Sequence, residues 1–258
     1  MTDDSMSPNY AISFICIATS GYVVYADKLI ESIQKVAGED QIDFILLTDK
    51  EDFVPTVEIS NFNKIIIGSL GWPWATLMRY HLISTYLPKA KSENVCYVDA
   101  DSIVHYPFWR NLDMNRLQNG IAMIRHPGFY RSQRVRLYTS DYRFLIRDLK
   151  LFCSEGGLGK WEKRKKSRAH VPFLKRRDYV CGGVWLGKKR AILSMCNDLQ
   201  KNVDLDLSKN LIARWHDESY LNAYKINTEV TILGPEYCHS VGLKNLVDLD
   251  IYVEAVTK

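Results

Sequence analysis

Along the first hundred residues, apolar positions follow two alternating periods. Residues 11–18 (AISFICIA) form a continuous apolar run closed by the polar turn Thr19-Ser20-Gly21, which predicts a buried strand. From residue 22 onward the apolar positions Val23, Ala26, Leu29, Ile30 and Ile33 fall on one helical face and predict a helix over 22–36. Residues 42–49 and 64–70 read as two more strands, 74–87 as a helix stopped by Pro88, and 94–102 as a strand running into acidic residues. Apolar strands separated by helices predict an α/β fold, a mostly parallel sheet with helices on both faces. Ligands of such sheets bind beyond the carboxyl ends of the strands. The polar endings Ala18-Thr19-Ser20, Thr48-Asp49 and Asp99-Ala100-Asp101 should therefore share one edge.

The second half is less regular. Residues 120–130 and 179–187 read as strands, 188–202 and 215–225 as helices, and the weakly periodic, charged stretch 131–178 as a long functional loop. No repeat or clear linker interrupts the 258 residues, so a single domain over 1–258 is expected. It divides into a first lobe of about 1–105 and a second of about 106–258.

Composition narrows the class. An apolar fraction of 47% with 25% charged residues excludes a disordered or fibrous chain. No apolar stretch approaches the ~20 residues of a membrane span, and MTDDSMSPNY does not read as a signal peptide. Six scattered cysteines without a CxxC pair read as reduced core thiols, and a soluble, cytoplasmic protein is expected. The net charge of +4 is too mild to argue a nucleic-acid partner.

Three clusters carry candidate chemistry. Asp99-Ala100-Asp101 places two carboxylates at a strand end, where they could hold a hard divalent cation and through it a diphosphate. The chain has three such pairs, the others being Asp204/Asp206 and Asp248/Asp250, but only the first follows a strongly apolar strand at the expected ligand edge. Trp215-His216-Asp217-Glu218 opens a helix; its acids either cap the helix or supply a carboxylate nucleophile or base beside a binding tryptophan. Cys181-Gly182-Gly183 lies within an apolar strand, where glycine marks a bulge or a close approach, and Cys181 reads as a small pocket-lining side chain. His126 and His216 have no second ligand at useful spacing and read as hydrogen-bonding histidines. Residues 160–177 hold nine basic residues against the single acid Glu162, which reads as a solvated face or, less simply, as an RNA-binding loop. No P-loop, GxGxxG or GxSxG motif occurs.

In order, IATSGYVVY, WPWATLMRY, YVDADS, HPGFYRSQR, YVCGGVWLG, WHDESYLNAY and LGPEY resemble glycosyltransferase family 6, and together they span nearly the whole chain. The resemblance implies a GT-A fold with a Rossmann-like sheet, a UDP-sugar donor, a galactose-type glycan acceptor and α1,3 transfer with retention. It implies Mn²⁺ held by Asp99 and Asp101, uracil and ribose held by the backbone of Ile17, Ala18 and Thr19 and the ring of Tyr22, and donor phosphate or sugar clamped by Arg79. His126, Trp215 and Asp217 would contact the sugars, and Glu218 would be the catalytic carboxylate. Cys181, Gly182 and Gly183 would line the donor sugar, with the small residues at 181 and 183 favouring UDP-GalNAc over UDP-galactose. Lys258 would be the remnant of a basic tail closing over UDP. Departures are an insertion of roughly twenty residues after HPGFY, replacement of an acceptor-holding aspartate near Ser240, and no anchor, as in a short bacterial- or viral-type member. A sugar-binding module without turnover is the rival from another class; no nucleic-acid partner and no membrane span are expected.

Overall fold

The computed structural model describes residues 9–130, 142–241 and 250–256. Lys258, part of the HPGFYRSQR stretch, Asp248 and the beginning of the presumed 131–178 loop lie outside the described residues.

A seven-stranded sheet in the order β3-β2-β1-β4-β7-β6-β8 organises the chain. Its strands are β1 (Ile12–Ala18), β2 (Ile42–Thr48), β3 (Asn61–Ile66), β4 (Asn94–Val98), β6 (Ile121–Arg125), β7 (Val180–Lys188) and β8 (Thr231–Leu233). Pairings β1–β2, β2–β3, β1–β4 and β6–β8 are parallel. Only β7 runs the other way, antiparallel to both β4 and β6. A small second sheet, in the order β5-β10-β9, joins β5 (Ser102–Val104), β9 (His239–Ser240) and β10 (Val253–Ala255). The mixed α/β architecture matches the expected GT-A-like fold.

Helices cover both faces. Even-numbered β1 positions Ile12, Phe14, Cys16 and Ala18 pack beneath α1 (Val23–Ala37), against its Ala26, Leu29, Ile30 and Ile33. Odd-numbered Ile15, with Val95, Tyr97 and Trp185, belongs to the opposite core with α3 (Arg79–Tyr86), α6 (Lys189–Leu207) and α7 (His216–Asn227). The two-residue side-chain period of a strand fed from both sides is why these strands read as unbroken apolar runs.

Four sequence expectations need correction. The presumed strand 64–70 is β3 at Asn61–Ile66, an edge strand with half-buried Asn61, Asn63 and Lys64 that periodicity passed over. The presumed helix 74–87 breaks at Met78 (φ −87°, ψ 5°) into α2 (Trp74–Leu77) and α3. The presumed strand 94–102 divides at Asp99-Ala100-Asp101, where the chain leaves the large sheet for the small one. The presumed loop 131–178 contains α5 (Tyr142–Glu155), which follows the short helix α4 (Phe108–Asn111). Its residues Ile146, Leu149 and Phe152 are exposed, so this apolar stripe does not face the core.

Asp43, fully buried on β2, accepts from Ser13 Oγ (2.5 Å), Asn61 Nδ2 (2.6 Å) and the Lys91 amide (2.8 Å). It thus joins β1, β2 and β3 to the chain entering β4. Asp43→Ala leaves buried donors unpaired and should cost about 2–3 kcal/mol, seen as a lower denaturation midpoint.

Candidate active site

β1 has β2 on one side and β4 on the other, with chain crossovers leaving in opposite directions. Between β1 and β4 the carboxyl ends open a crevice, the usual ligand position in a doubly wound sheet. A cavity of about 270 Å³ lies there. After β1 it is lined by Thr19, Ser20 and Tyr22, after β4 by Asp99, Ala100 and Asp101, and from the side by Ile17 and Arg79. Ala18 does not line it: its side chain is fully buried in the α1-side core. Leu70, Gly71 and Trp72, none of them singled out in the sequence, complete the wall, and Trp72 is 82% exposed. At the same edge, the Ser20 amide donates to Asp49 Oδ1 (2.8 Å), which joins the ends of β1 and β2 as expected.

The reversed direction of β7 carries Cys181-Gly182-Gly183 to this edge. In register with β4 (Val98 opposite Val184), β7 accepts the Asp99 amide on the Gly183 carbonyl (2.8 Å). Both glycines stand at close approaches. A Cβ on Gly182 would come 2.6 Å from Asp217 Oδ2; one on Gly183 would come 3.0 Å from Asp99 Oδ2 and 3.5 Å from Cys238 Sγ. Cys181 is buried.

Arg79, only 5% exposed, knits these elements together. Its Nη1 donates to the Gly182 carbonyl (2.7 Å) and Asp217 Oδ2 (2.5 Å), and its Nη2 to Asp99 Oδ1 (2.7 Å). The guanidinium lies over the Tyr97 ring, 4.4 Å from its centroid, while Tyr97 Oη donates to Asp99 Oδ1 (2.6 Å). Against the cost of burial, Asp217 and Asp99 hold Arg79 well above its ordinary pKa. Both Nη atoms are thus committed within the protein, and Nε is buried without a partner.

Asp217 and Glu218 occupy the first turn of α7. Neither side chain caps the helix; the Tyr80 hydroxyl instead donates to the Asp217 carbonyl (2.7 Å). Burial pushes the Asp217 carboxyl up against the pull of Arg79. Glu218 accepts from Tyr179 Oη (2.7 Å) and the Gly182 amide (3.0 Å). Burial pushes its pKa up to about 7, although both hydrogen bonds favour the ionised form. A carboxylate fixed by two donors is poised to present charge to a reacting centre.

His126 and Trp215 flank this centre. Burial pushes His126 down to about 4, so its ring is neutral; Nδ1 accepts from the Gly128 amide (3.0 Å). The ring lies 5.8 Å from that of Tyr179, in a second cavity of about 610 Å³. Trp215 is 40% exposed and carries Lys160 Nζ 4.3 Å above its ring. His216 belongs instead with Trp72, at 5.3 Å, and Thr76.

Besides the wall residues Leu70, Gly71 and Trp72, sequence reasoning missed Tyr97 and Tyr179. Tyr97 had a readable signal, being two residues before Asp99 and hence on the same side of the chain. Tyr179 had none, because its partner Glu218 is distant in sequence.

Residues 150–256 match the family model described as Glycosyltransferase family 6. Similar proteins include the histo-blood group ABO system transferase 1 of Rattus norvegicus, 25% identical over 89% of this chain and 61% of the relative. The O-antigen biosynthesis glycosyltransferase WbnI of Escherichia coli is 25% identical over 88% of this chain and 86% of its own. These matches support a glycosyltransferase of the family 6 type. The human globoside alpha-1,3-N-acetylgalactosaminyltransferase 1 is 22% identical over 89% of this chain and 61% of its own. The chain therefore spans about three fifths of the length of these mammalian relatives. No helix among the described residues is long and apolar enough to cross a membrane.

The raised pKa of Glu218 has a stability signature. Its folded value near 7 lies above the ordinary 4.5, so its contribution is full below about pH 4.5 and is lost as pH rises through 7. The loss amounts to at most about 3 kcal/mol. Glu218→Gln should flatten stability against pH between about 5 and 7 in denaturant titrations. An unchanged pH dependence would show that Glu218 is not buried in this way.

Proposed function

We propose that this chain is a retaining glycosyltransferase of family 6. It moves N-acetylgalactosamine, in preference to galactose, from a UDP-sugar to a galactose-type acceptor in α1,3 linkage. The supporting observation is the continuity of the site. A cavity rimmed by Asp99 and Asp101 adjoins, through one buried arginine, the paired carboxylates Asp217 and Glu218. The name of the globoside relative, an alpha-1,3-N-acetylgalactosaminyltransferase, is consistent with this donor and linkage.

The acid-rich rim fits a divalent cation. Asp99 and Asp101 line the cavity together, Arg79 pairs with Asp99 and Asp217, and two carboxylates plus diphosphate oxygens are a suitable set of hard ligands. Asp99 and Asp101 would hold Mn²⁺. Bound there, the ion supplies positive charge to the departing diphosphate. Arg79 holds Asp99 and Asp217 in place. Tyr22, Thr19 and the Ile17 segment bound the nucleotide end. Asp217 orients the sugar, and Glu218 presents negative charge to the anomeric carbon as it becomes oxocarbenium-like. Tyr179 and the Gly182 amide keep Glu218 aimed. His126 and Trp215 border the acceptor side.

In a UDP-release assay with a galactose-terminated acceptor, turnover should require Mn²⁺ and stop in EDTA. Glu218→Gln should retain UDP binding while kcat falls on the order of 10²-fold or more. Full activity in EDTA, or wild-type kcat in the variant, would overturn the corresponding role.

Donor choice is tested at Gly183. With a hydrogen at this position and Asp99 and Cys238 close by, an added methyl takes volume beside the sugar. Wild type should prefer UDP-GalNAc by roughly 10- to 200-fold in kcat/KM, and Gly183→Ala should erode that ratio. A preference for UDP-galactose, or an unchanged ratio, would place the determinant elsewhere.

A further inference from the structure

Helix α5 breaks the rule that an amphipathic helix turns its apolar face to the core. Ile146, Leu149 and Phe152 recur at three-residue spacing and are 47%, 64% and 59% exposed. The turn Phe173–Lys175 extends this surface, with Phe173 56% and Leu174 84% exposed. The two segments are held together at the carboxyl end of α5. A Cβ on Gly156 would clash with the Phe173 ring, and Arg176 Nη1 donates to the Glu155 carbonyl (2.6 Å). Five large apolar side chains thus share one solvent-facing patch, and such a patch marks an interaction site.

The charge around it identifies the partner. Lys150, Lys175 and Arg177 are exposed, and among the described residues no carboxylate pairs with them. The described acids of the region have basic partners, Asp148 on α5 lying 3.7 Å from Arg147. Glu155 is buried against Arg214 (2.9 Å) and Lys163 (3.1 Å), Glu162 against Arg164 (2.6 Å), and Asp178 is paired with Arg125 (3.1 Å). Lys165 and Lys166 extend the positive field along the same segment. A second copy of this face would set basic residues against basic residues. Nucleic acid would use the charges but leave Ile146, Leu149 and Leu174 in water, since aliphatic side chains offer no stacking surface.

We infer that α5 and the Phe173–Lys175 turn form a docking face for an anionic lipid bilayer. The helix would lie in the interface plane, with Leu149, Ile146 and Leu174 entering the acyl boundary and the flanking lysines and arginine among anionic headgroups. The patch is continuous with the acceptor side. Phe152 and Arg176 also line the cavity that holds His126 and Tyr179, so docking turns that mouth toward the bilayer. If the function proposed above holds, the acceptor glycan is lipid-borne.

Vesicle binding tests the docking face without any turnover. The full chain is mixed with vesicles of phosphatidylcholine alone or of phosphatidylcholine with phosphatidylglycerol, and sedimented at low and high salt. Binding is expected to the anionic vesicles, weakened by salt and absent on the neutral ones. The double variant Leu149→Ser/Leu174→Ser should bind at least ~10-fold more weakly, with an unchanged denaturation midpoint because both side chains are exposed. Lys150→Glu/Lys175→Glu should weaken binding similarly at low salt. UDP release with a water-soluble acceptor should stay at the wild-type level in all variants, which separates loss of docking from loss of the site. Four results would overturn the inference: no association with anionic vesicles, undiminished binding by the variants, a dimer in gel filtration that the leucine variant dissolves, or capture of a single-stranded oligonucleotide but not of vesicles.

Discussion

The candidate site depends on one buried cation. Arg79 lies almost entirely out of water, so its charge must be answered at short range, and Asp99 and Asp217 answer it from two different elements. The ion pairs lock the carboxyl end of β4 to the start of α7 across the face of Tyr97. Loss of Arg79 would strand two carboxylates in a low-dielectric pocket, and both would lose their fixed positions as well as their charge partner. The glycines at 182 and 183 belong to the same constraint. Their bare backbone is what lets Asp217 and Asp99 reach inward, and the Gly182 carbonyl and amide serve Arg79 and Glu218 in turn.

A second linkage runs from Glu218 outward. Tyr179 donates to Glu218 and packs edge-on against Trp161, with ring centroids 4.9 Å apart, and against Phe129 at 5.1 Å. Trp161 opens the lysine- and arginine-rich segment, which is therefore a well-packed wall of the site and more than a solvated face. The buried cluster of Trp161, Val171 and Tyr179 anchors that segment, leaving its basic side chains outside and the apolar surface of α5 beside them. The candidate centre and the outer face therefore share one piece of structure through Trp161 and Tyr179.

Where local pattern carries the information, sequence and structure agree. The apolar runs at 11–18 and 42–49 became β1 and β2 because a strand fed by two cores is apolar on both faces, whatever its partners. The acidic pair Asp99 and Asp101 was readable because it terminates such a run. Glu218 was readable as a candidate, though not separable from a helix cap; only the structure shows that its carboxylate is turned to Tyr179 and Gly182. β3 and α5 were misread for different reasons. An edge strand exposes polar positions that break the apolar run, whereas α5 carries a helical apolar period, including Ile146, Leu149 and Phe152, that was passed over among the many charges of 131–178.

By itself, the sequence determined the α/β class, most of the elements, the ligand edge and the residues able to do chemistry there, since each follows from period, breaker residues and side-chain type within a short window. Only the tertiary structure decided the reversed direction of β7, the insertion of Arg79 between Asp99 and Asp217, the pairing of Tyr179 with Glu218 and the outward face of α5. These are contacts between segments from 20 to 138 residues apart. Neither local propensity nor hydrophobic period encodes which buried donor meets which buried acceptor; that follows from packing the whole sheet and satisfying every charge left inside it.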